Sequence, residues 1–326
     1  MVYTSPFFKR GVVNNYDPAA DGNYEWELTD NPLAAIWITI KGDIYAANMC
    51  MDDFMLSIPS FDVWMGAFNV AHYAHSIDAL VMNCKLKGAW PYLVNSSQTV
   101  DDVTGVTFPI LFGAPYLNPQ MCLPKSLSNR KRLVLTADIA TAALDDLLID
   151  IAEVIMPGAN PSGSIKQEEI AVAAKGTGDN DVWLQRNWDL LKLNIYSPTA
   201  PTGAAYTSTI ERAGLEIDDV YFGYEGVPWE ILHGEVMDEL EGSGPVEDHI
   251  HADPSSGSTG MPSQLEHWIC KYGELDYFYN YDLRWKAPLK DCSTAKFKYN
   301  AGVDEAFRLA TASYVPTSSL ERPGGF

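Results

Sequence analysis

Leu275, Tyr277, Tyr279, Tyr281, Leu283 and Trp285 occupy every second position of one eleven-residue run. Glu274, Asp276, Asn280, Asp282, Arg284 and Lys286 fill the other register, with Phe278 as the exception. Successive side chains on a strand point to opposite faces, so the run predicts a long strand with one buried and one wet face. Such a strand belongs to an antiparallel sandwich or barrel, not to a doubly wound nucleotide-binding sheet.

The same alternation recurs along the chain. Ile36, Ile38 and Ile40 alternate with Trp37, Thr39 and Lys41 in a strand expected over 34–46. Further strands are expected at 79–87, 103–112, 131–139 and 147–156, with Val106, Phe108, Ile110 and Phe112 sharing one face. In the second half they are expected at 188–196, 215–222, 267–285, 294–300 and 306–315. Two short helices interrupt the series. One ends near Pro59, and the other opens at Pro228 with Ile231, Leu232, Val236 and Leu240 at helical spacing.

The chain divides on this pattern into an aperiodic arm (1–31), a first β-sandwich (32–165), a linker (166–186), a second sandwich (187–316) and a tail (317–326). Residues 157–181, rich in Gly, Ser, Pro and charge, predict a linker or long loop. Residues 241–264 predict another loop. The two halves carry a weak internal repeat, since Pro124 to Ala137 and Pro288 to Ala301 span equal lengths. Each copy runs from proline through a polar turn and a basic residue into an alternating strand. A later strand ends at a proline in both, Pro157 and Pro316.

With 326 residues and 47% hydrophobic content, each half has enough chain for its own core. The 43 acidic and 22 basic residues give a net charge of -21, which repels free nucleic acid and anionic membranes over most of the surface. Five cysteines, none in a CxxC pair, argue against a disulfide framework or zinc ribbon and suit folding in a reducing cytoplasm. The first residues lack the apolar core of a secretory signal, and no stretch approaches the roughly 18 apolar residues of a membrane span.

Few constellations point to chemistry. Asp248, His249, His251 and Asp253 form the most metal-like cluster, with a His-x-His pair beside two carboxylates. They lie in a Gly/Ser/Pro-rich loop, where an exposed acidic tip is the commoner outcome. His72 and His75 read as surface or turn residues. The pairs Asp52–Asp53, Asp101–Asp102, Asp145–Asp146 and Asp218–Asp219 would place their carboxylates on opposite faces of a strand, unlike the facing carboxylates of a glycosidase. They also miss the calcium-loop spacing and read as turn acids. No nucleophile elbow, phosphate loop or zinc-protease signature is present. In the arm, Phe7, Phe8, Lys9 and Arg10 set two aromatics beside two cations. That combination suits a lipid headgroup boundary or a neighbouring subunit.

Three segments, VTFPILFGAPY, MCLPKSLSNRKRLVLTADI and YFYNYDLRWKAPLKDCSTAKFKYNAG, together resemble the double jelly-roll major capsid proteins of icosahedral viruses that enclose a membrane. Within that family the likeness extends to lipid-containing flavobacterial phages. The resemblance spans roughly residues 30–316. It implies an all-β fold of two tandem eight-stranded jelly rolls with long loops and a few short helices. It also implies a homotrimer of pseudo-hexagonal outline that tiles a virion shell, after synthesis and assembly in the host cytoplasm. The arm would contact the internal membrane or adjacent capsomers, and minor capsid and vertex proteins would be further partners. Catalytic residues, cofactors and sequence-specific nucleic-acid binding are not expected. A carbohydrate-active β-sandwich, hydrolase or binding module, and a jelly-roll receptor-binding spike are the competing readings.

Overall fold

The computed structural model describes residues 7–10, 22–43, 54–89, 91–94, 103–126, 130–138, 146–201, 207–238 and 271–320. The chain forms two compact units, Met1–Glu168 with Tyr314–Phe326 and Glu169–Ser313. The second unit begins at Glu169, and the C-terminal segment from Tyr314 belongs to the first.

The first unit has two antiparallel-rich sheets. One runs in the order β1 (Phe7–Arg10), β9 (Leu148–Ile155), β3 (Leu33–Asp43), β7 (Val103–Leu111), β6 (Tyr92–Val94). The other is formed by β2 (Gly22–Glu27), β8 (Lys131–Ala137), β4 (Ser60–Met65), β5 (Phe68–Tyr73) and the start of β10 (Gly163–Val172). Ile36, Ile38 and Ile40 are buried while Trp37, Thr39 and Lys41 are only partly covered, as the alternation predicts. Val106, Phe108, Ile110 and Phe112 are likewise all buried. The arm is not wholly aperiodic. β1 pairs antiparallel with β9, Phe8 opposite Val154 and Lys9 opposite Glu153, and β2 pairs with β8.

The strand expected at 79–87 is a helix, α1 (Ser76–Lys87). Eleven of its residues, Ser76 to Leu86, are buried, so no polar face gives a readable helical period. Its local signals are nevertheless helical. Asp78 stands in the first turn and Lys85 and Lys87 in the last, matching the helix dipole. Gly88 adopts the left-handed conformation (φ 67°) and returns its N–H to the carbonyls of Cys84 and Lys85. The short helix expected before Pro59 appears as a helical turn at Phe54 and Met55.

A buried amide pair ties α1 to the strands. Asn83 Nδ2 donates to Gln167 Oε1 (2.8 Å) and to the Ala79 carbonyl (2.8 Å). Gln167 Nε2 donates to Asn83 Oδ1 (2.9 Å) and to the Leu111 carbonyl (2.8 Å). The Leu111 N–H donates to Asn83 Oδ1 (2.7 Å), and the Tyr73 hydroxyl donates to Gln167 Oε1 (2.8 Å). Each of the three side chains is at most 1% exposed, so α1, β5, β7 and β10 share one satisfied polar knot.

In the second unit β16 (Tyr272–Asp276), β12 (Asp189–Tyr196), β18 (Phe307–Pro316) and the end of β10 form one sheet. The other is β11 (Gly178–Trp183), β17 (Ala295–Ala301), β13 (Arg212–Ile217) and β14 (Val220–Tyr221), with β15 (Val227–Pro228) on β13. Leu193, Ile195, Leu215, Leu275, Phe297, Phe307 and Leu309 meet in the core between them. The helix expected from Pro228 is α2 (Trp229–Asp238). It buries Trp229, Leu232 and Val236 but leaves Ile231 exposed, and Leu240 lies outside the described residues. The loop expected over 157–181 instead carries all of β10 and part of β11.

The internal repeat extends to the sheet order. β8 and β17 are both seven residues long, share one alternating burial pattern and end at Ala137 and Ala301. β2–β8–β4–β5 in the first unit corresponds to β11–β17–β13–β14 in the second. β9–β3–β7 likewise corresponds to β18–β12–β16. Both β4–β5 and β13–β14 are hairpins with two-residue loops, Gly66–Ala67 and Asp218–Asp219.

Replacing Gln167 with Leu removes the partner that the Asn83 amide, the Tyr73 hydroxyl and the Leu111 carbonyl share in a buried interior. The expected loss is about 3 kcal/mol of unfolding free energy, against about 1 kcal/mol for Tyr73→Phe, measured by chemical denaturation. Equal losses from the two substitutions would show that the knot is not shared.

Candidate assembly surface

The alternating run that predicts a strand over 275–285 is a strand only at its start. β16 ends at Asp276, and Tyr277 and Phe278 are buried beyond it. Two short 3-10 turns follow, Tyr279–Tyr281 and Leu283–Trp285. Asn280 (φ 51°) and Tyr281 (φ 58°) take left-handed backbone that strands exclude. Asn tolerates that conformation well, whereas Tyr there carries a steric cost. Asp282 caps the second turn, accepting from the Arg284 N–H (2.9 Å) and twice from Arg284 Nε (3.0 and 2.7 Å). These bonds hold the Asp282 carboxyl below its ordinary pKa. The far end is fastened where Leu190 and Ala287 exchange backbone hydrogen bonds and Lys286 pairs with Asp189.

This geometry turns aromatics outward. Tyr279 is 67% exposed, Trp285 61% and Tyr281 36%. Trp183, Val220, Tyr221 and Ile231 add to the exposed large apolar side chains of the second unit. Among the described residues of the first unit only Leu56 joins them. Exposed large aromatic side chains such as Tyr279, Tyr281 and Trp285, close in sequence on adjoining turns, are common at contact surfaces.

The charged side chains of the second unit are largely spent on internal order. Lys192, 1% exposed, donates to Glu274 (3.0 Å) and Asp276 (2.8 Å) across β12 and β16. Lys296 joins Glu216 (3.1 Å) and Asp219 (3.3 Å) and lies 5.1 Å from the Trp183 ring centroid. Asp218 and Asp219, read from sequence as turn acids, form the β13–β14 turn with φ values of 49° and 63°. Asp218 Oδ1 accepts from the N–H groups of Ser293 (2.7 Å) and Thr294 (2.8 Å). Asp146 accepts from the Asp43 N–H (3.0 Å).

The other site residues read from sequence fall as follows. Phe7, Phe8, Lys9 and Arg10 form β1 at the edge of a first-unit sheet. His72 lies on β5 with Nδ1 2.7 Å from Asp62 Oδ1, and His75 directly precedes α1. Asp248, His249, His251 and Asp253 lie outside the described residues, as do Asp52, Asp53, Asp101, Asp102 and Asp145. Cys84 and Cys122 are free and buried, and burial pushes both thiols up to about 12, far from the reactive thiolate range. No described helix is long and apolar enough to cross a membrane.

Two tandem all-β units of matching strand order define a double jelly roll, and solved structures carry the same fold. The major capsid protein P2 from bacteriophage PM2 matches over 99% of this chain and 100% of its own, with TM-score 0.64 and 12% identity. A structure of Sulfolobus Turreted Icosahedral Virus matches over 95% of this chain and 91% of its own, with TM-score 0.67 and 13% identity. The PBCV-1 virus capsid matches over 96% and 94%, with TM-score 0.62 and 8% identity. At these identities the likeness is one of fold. No protein-family model and no curated protein sequence matches the chain.

Proposed function

We propose that this chain is a structural, non-enzymatic major capsid protein. Three copies would form a capsomer of pseudo-hexagonal outline, and capsomers would tile an icosahedral shell around an internal membrane. The observation that carries this reading is the match of both units, in order and over nearly the whole of each chain, to viral major capsid proteins. A domain borrowed for another task would share one unit, whereas the match extends from end to end.

The surface supports the reading. A subunit that spends its life in a lattice can expose aromatic groups that a monomer would bury, and the described residues of the second unit include seven exposed large apolar side chains. We assign Tyr279, Tyr281 and Trp285 to a contact with a second copy. The buried free thiols suit synthesis and assembly in a reducing host cytoplasm before incorporation into the virion. Minor capsid and vertex proteins are the further partners this role requires. The charge of -21 disfavours direct nucleic-acid binding.

Light scattering after size exclusion tests the oligomer. Three copies of a 36.0 kDa chain give about 108 kDa, and larger sheets or shells are also consistent. The double substitution Tyr279→Ser with Trp285→Ser should shift the mass toward 36 kDa while leaving the melting temperature within a few degrees. An unchanged mass would remove these aromatics from the contact. A wild-type chain that stays at 36 kDa at every concentration, with and without lipid, would contradict the capsid reading.

The N-terminal segment is assigned to the internal membrane through Lys9 and Arg10, flanked by Phe7 and Phe8. Each cation near an anionic headgroup contributes about 1 kcal/mol, so two reversals have a readable effect. Lys9→Glu with Arg10→Glu should reduce co-flotation with phosphatidylglycerol vesicles at least tenfold and leave the trimer mass intact. Flotation equal to wild type would assign these residues to a neighbouring capsomer instead.

A further inference from the structure

The outer face of β11, β17 and β13 holds a cavity of about 580 Å³. Its rim is polar. Asp179, Asn180, Glu211, Arg212, Tyr221, Asn300 and Lys298, which is paired with Asp181 (3.9 Å), line it, all from the second unit. Strand register builds it, because Asn300 on β17 stands between Asp179 on β11 and Arg212 on β13. Gly214 on β13 lets the Tyr221–Gly226 segment, which supplies Tyr221 and Gly226 to the lining, pack closely on the strand. A Cβ at that position would lie 2.6 Å from the Tyr224 carbonyl oxygen and 3.3 Å from the Tyr221 ring.

Arg212 is the unusual member. Acidic residues outnumber basic ones 43 to 22, and Lys192, Arg284, Lys286, Lys296 and Lys298 in the same unit all pair with carboxylates. The Arg212 guanidinium has no side-chain hydrogen bond or ion pair among the described residues. A guanidinium presents a planar fork of donors suited to two carboxylate oxygens. Around it stand groups suited to hydroxyls. Asn300 Nδ2 donates to Asp179 Oδ1 (2.7 Å), leaving Asp179 Oδ2 and Asn300 Oδ1 as acceptors. Asn180 Nδ2 is held by the carbonyls of Gly176 (2.9 Å) and Gly178 (3.1 Å), which fixes its amide. Tyr221, 39% exposed, adds an aromatic face.

We propose that this cavity binds a carboxylated sugar, a hexuronic acid residue of a glycan. Arg212 takes the carboxylate, Asp179, Asn180, Glu211 and Asn300 take hydroxyls, and the Tyr221 ring packs on the C–H face of the sugar ring. The volume lies within the range of small-ligand pockets, and the few polar groups converge as such pockets require. An acidic peptide is the less favoured ligand. It lacks the hydroxyls that would satisfy the Asp179 and Asn300 acceptors. The inference stands apart from the assembly role, since it needs only the second unit's sheet.

Saturation-transfer NMR on the full-length protein tests it with three probes: D-glucuronic acid, D-glucose and a tri-aspartate peptide. Glucuronic acid should bind at least tenfold more tightly than glucose, and the peptide should give no transfer. Arg212→Gln should bring glucuronic acid down to the level of glucose, and Tyr221→Ala should weaken both sugars. Lys290→Gln, an exposed cation that does not line the cavity, should change neither. Unchanged melting temperatures will show that each variant is folded. Absence of sugar binding, equal affinity for the two sugars, glucuronate binding that survives Arg212→Gln, or binding of the peptide in place of sugar would each overturn the proposal.

Discussion

The first unit depends on a polar knot in an apolar interior. Asn83 and Gln167 satisfy each other, the Leu111 backbone and the Tyr73 hydroxyl, and they do so with almost no exposure. Apolar contacts between a helix and a sheet tolerate sliding, whereas paired amides admit one register. Because Gln167 lies on β10 and Asn83 on α1, the knot fixes a helix and the strand that leads toward the second unit at once. In the second unit, Lys192 with Glu274 and Asp276 provides a comparable restraint between β12 and β16. Buried charges of this kind specify an arrangement more surely than they stabilise it.

The two units solve one folding problem twice. Corresponding strands follow corresponding hairpins, and a helix follows each hairpin, α1 directly after β5 in one and α2 after the short β15 in the other. The residues differ where the helices meet their surroundings. α1 is buried all round, while α2 keeps Ile231 in solvent and packs Trp229 and Leu232 against Gly273. A duplicated scaffold thus carries different surfaces on equivalent elements. The exposed aromatics and the polar cavity both lie on the second copy.

Much of the strand architecture was legible in the sequence because one face of each strand is apolar. β3, β7, β8 and β17 alternate cleanly, and the repeat from Pro124 and Pro288 marks equivalent strands. Legibility failed where burial and polarity part company. β10 places Gln167 and Glu169 at buried positions, so its alternation does not look like alternation. α1 has no wet face, so its period vanishes, and only Gly88 and the terminal charges betray a helix. The run from Leu275 to Trp285 misled for the opposite reason. Its later aromatics are spaced like core residues but are exposed, and Asn280 and Asp282 turn the chain out of the sheet. Of the candidate surface, the arm's aromatic and basic residues were visible. The convergence of Asp179, Arg212 and Asn300 was not, because it arises from pairing of strands up to 121 positions apart in sequence.

The proposed capsid role requires three copies of the chain per capsomer, each supplying two jelly rolls. Electron cryo-microscopy of the purified oligomer tests it most directly. The account predicts a three-fold particle with six lobes, two per chain, and with Tyr279, Tyr281 and Trp285 covered at the contact between copies. A two-fold particle, an open chain of subunits, or a particle in which those aromatics face solvent would contradict it.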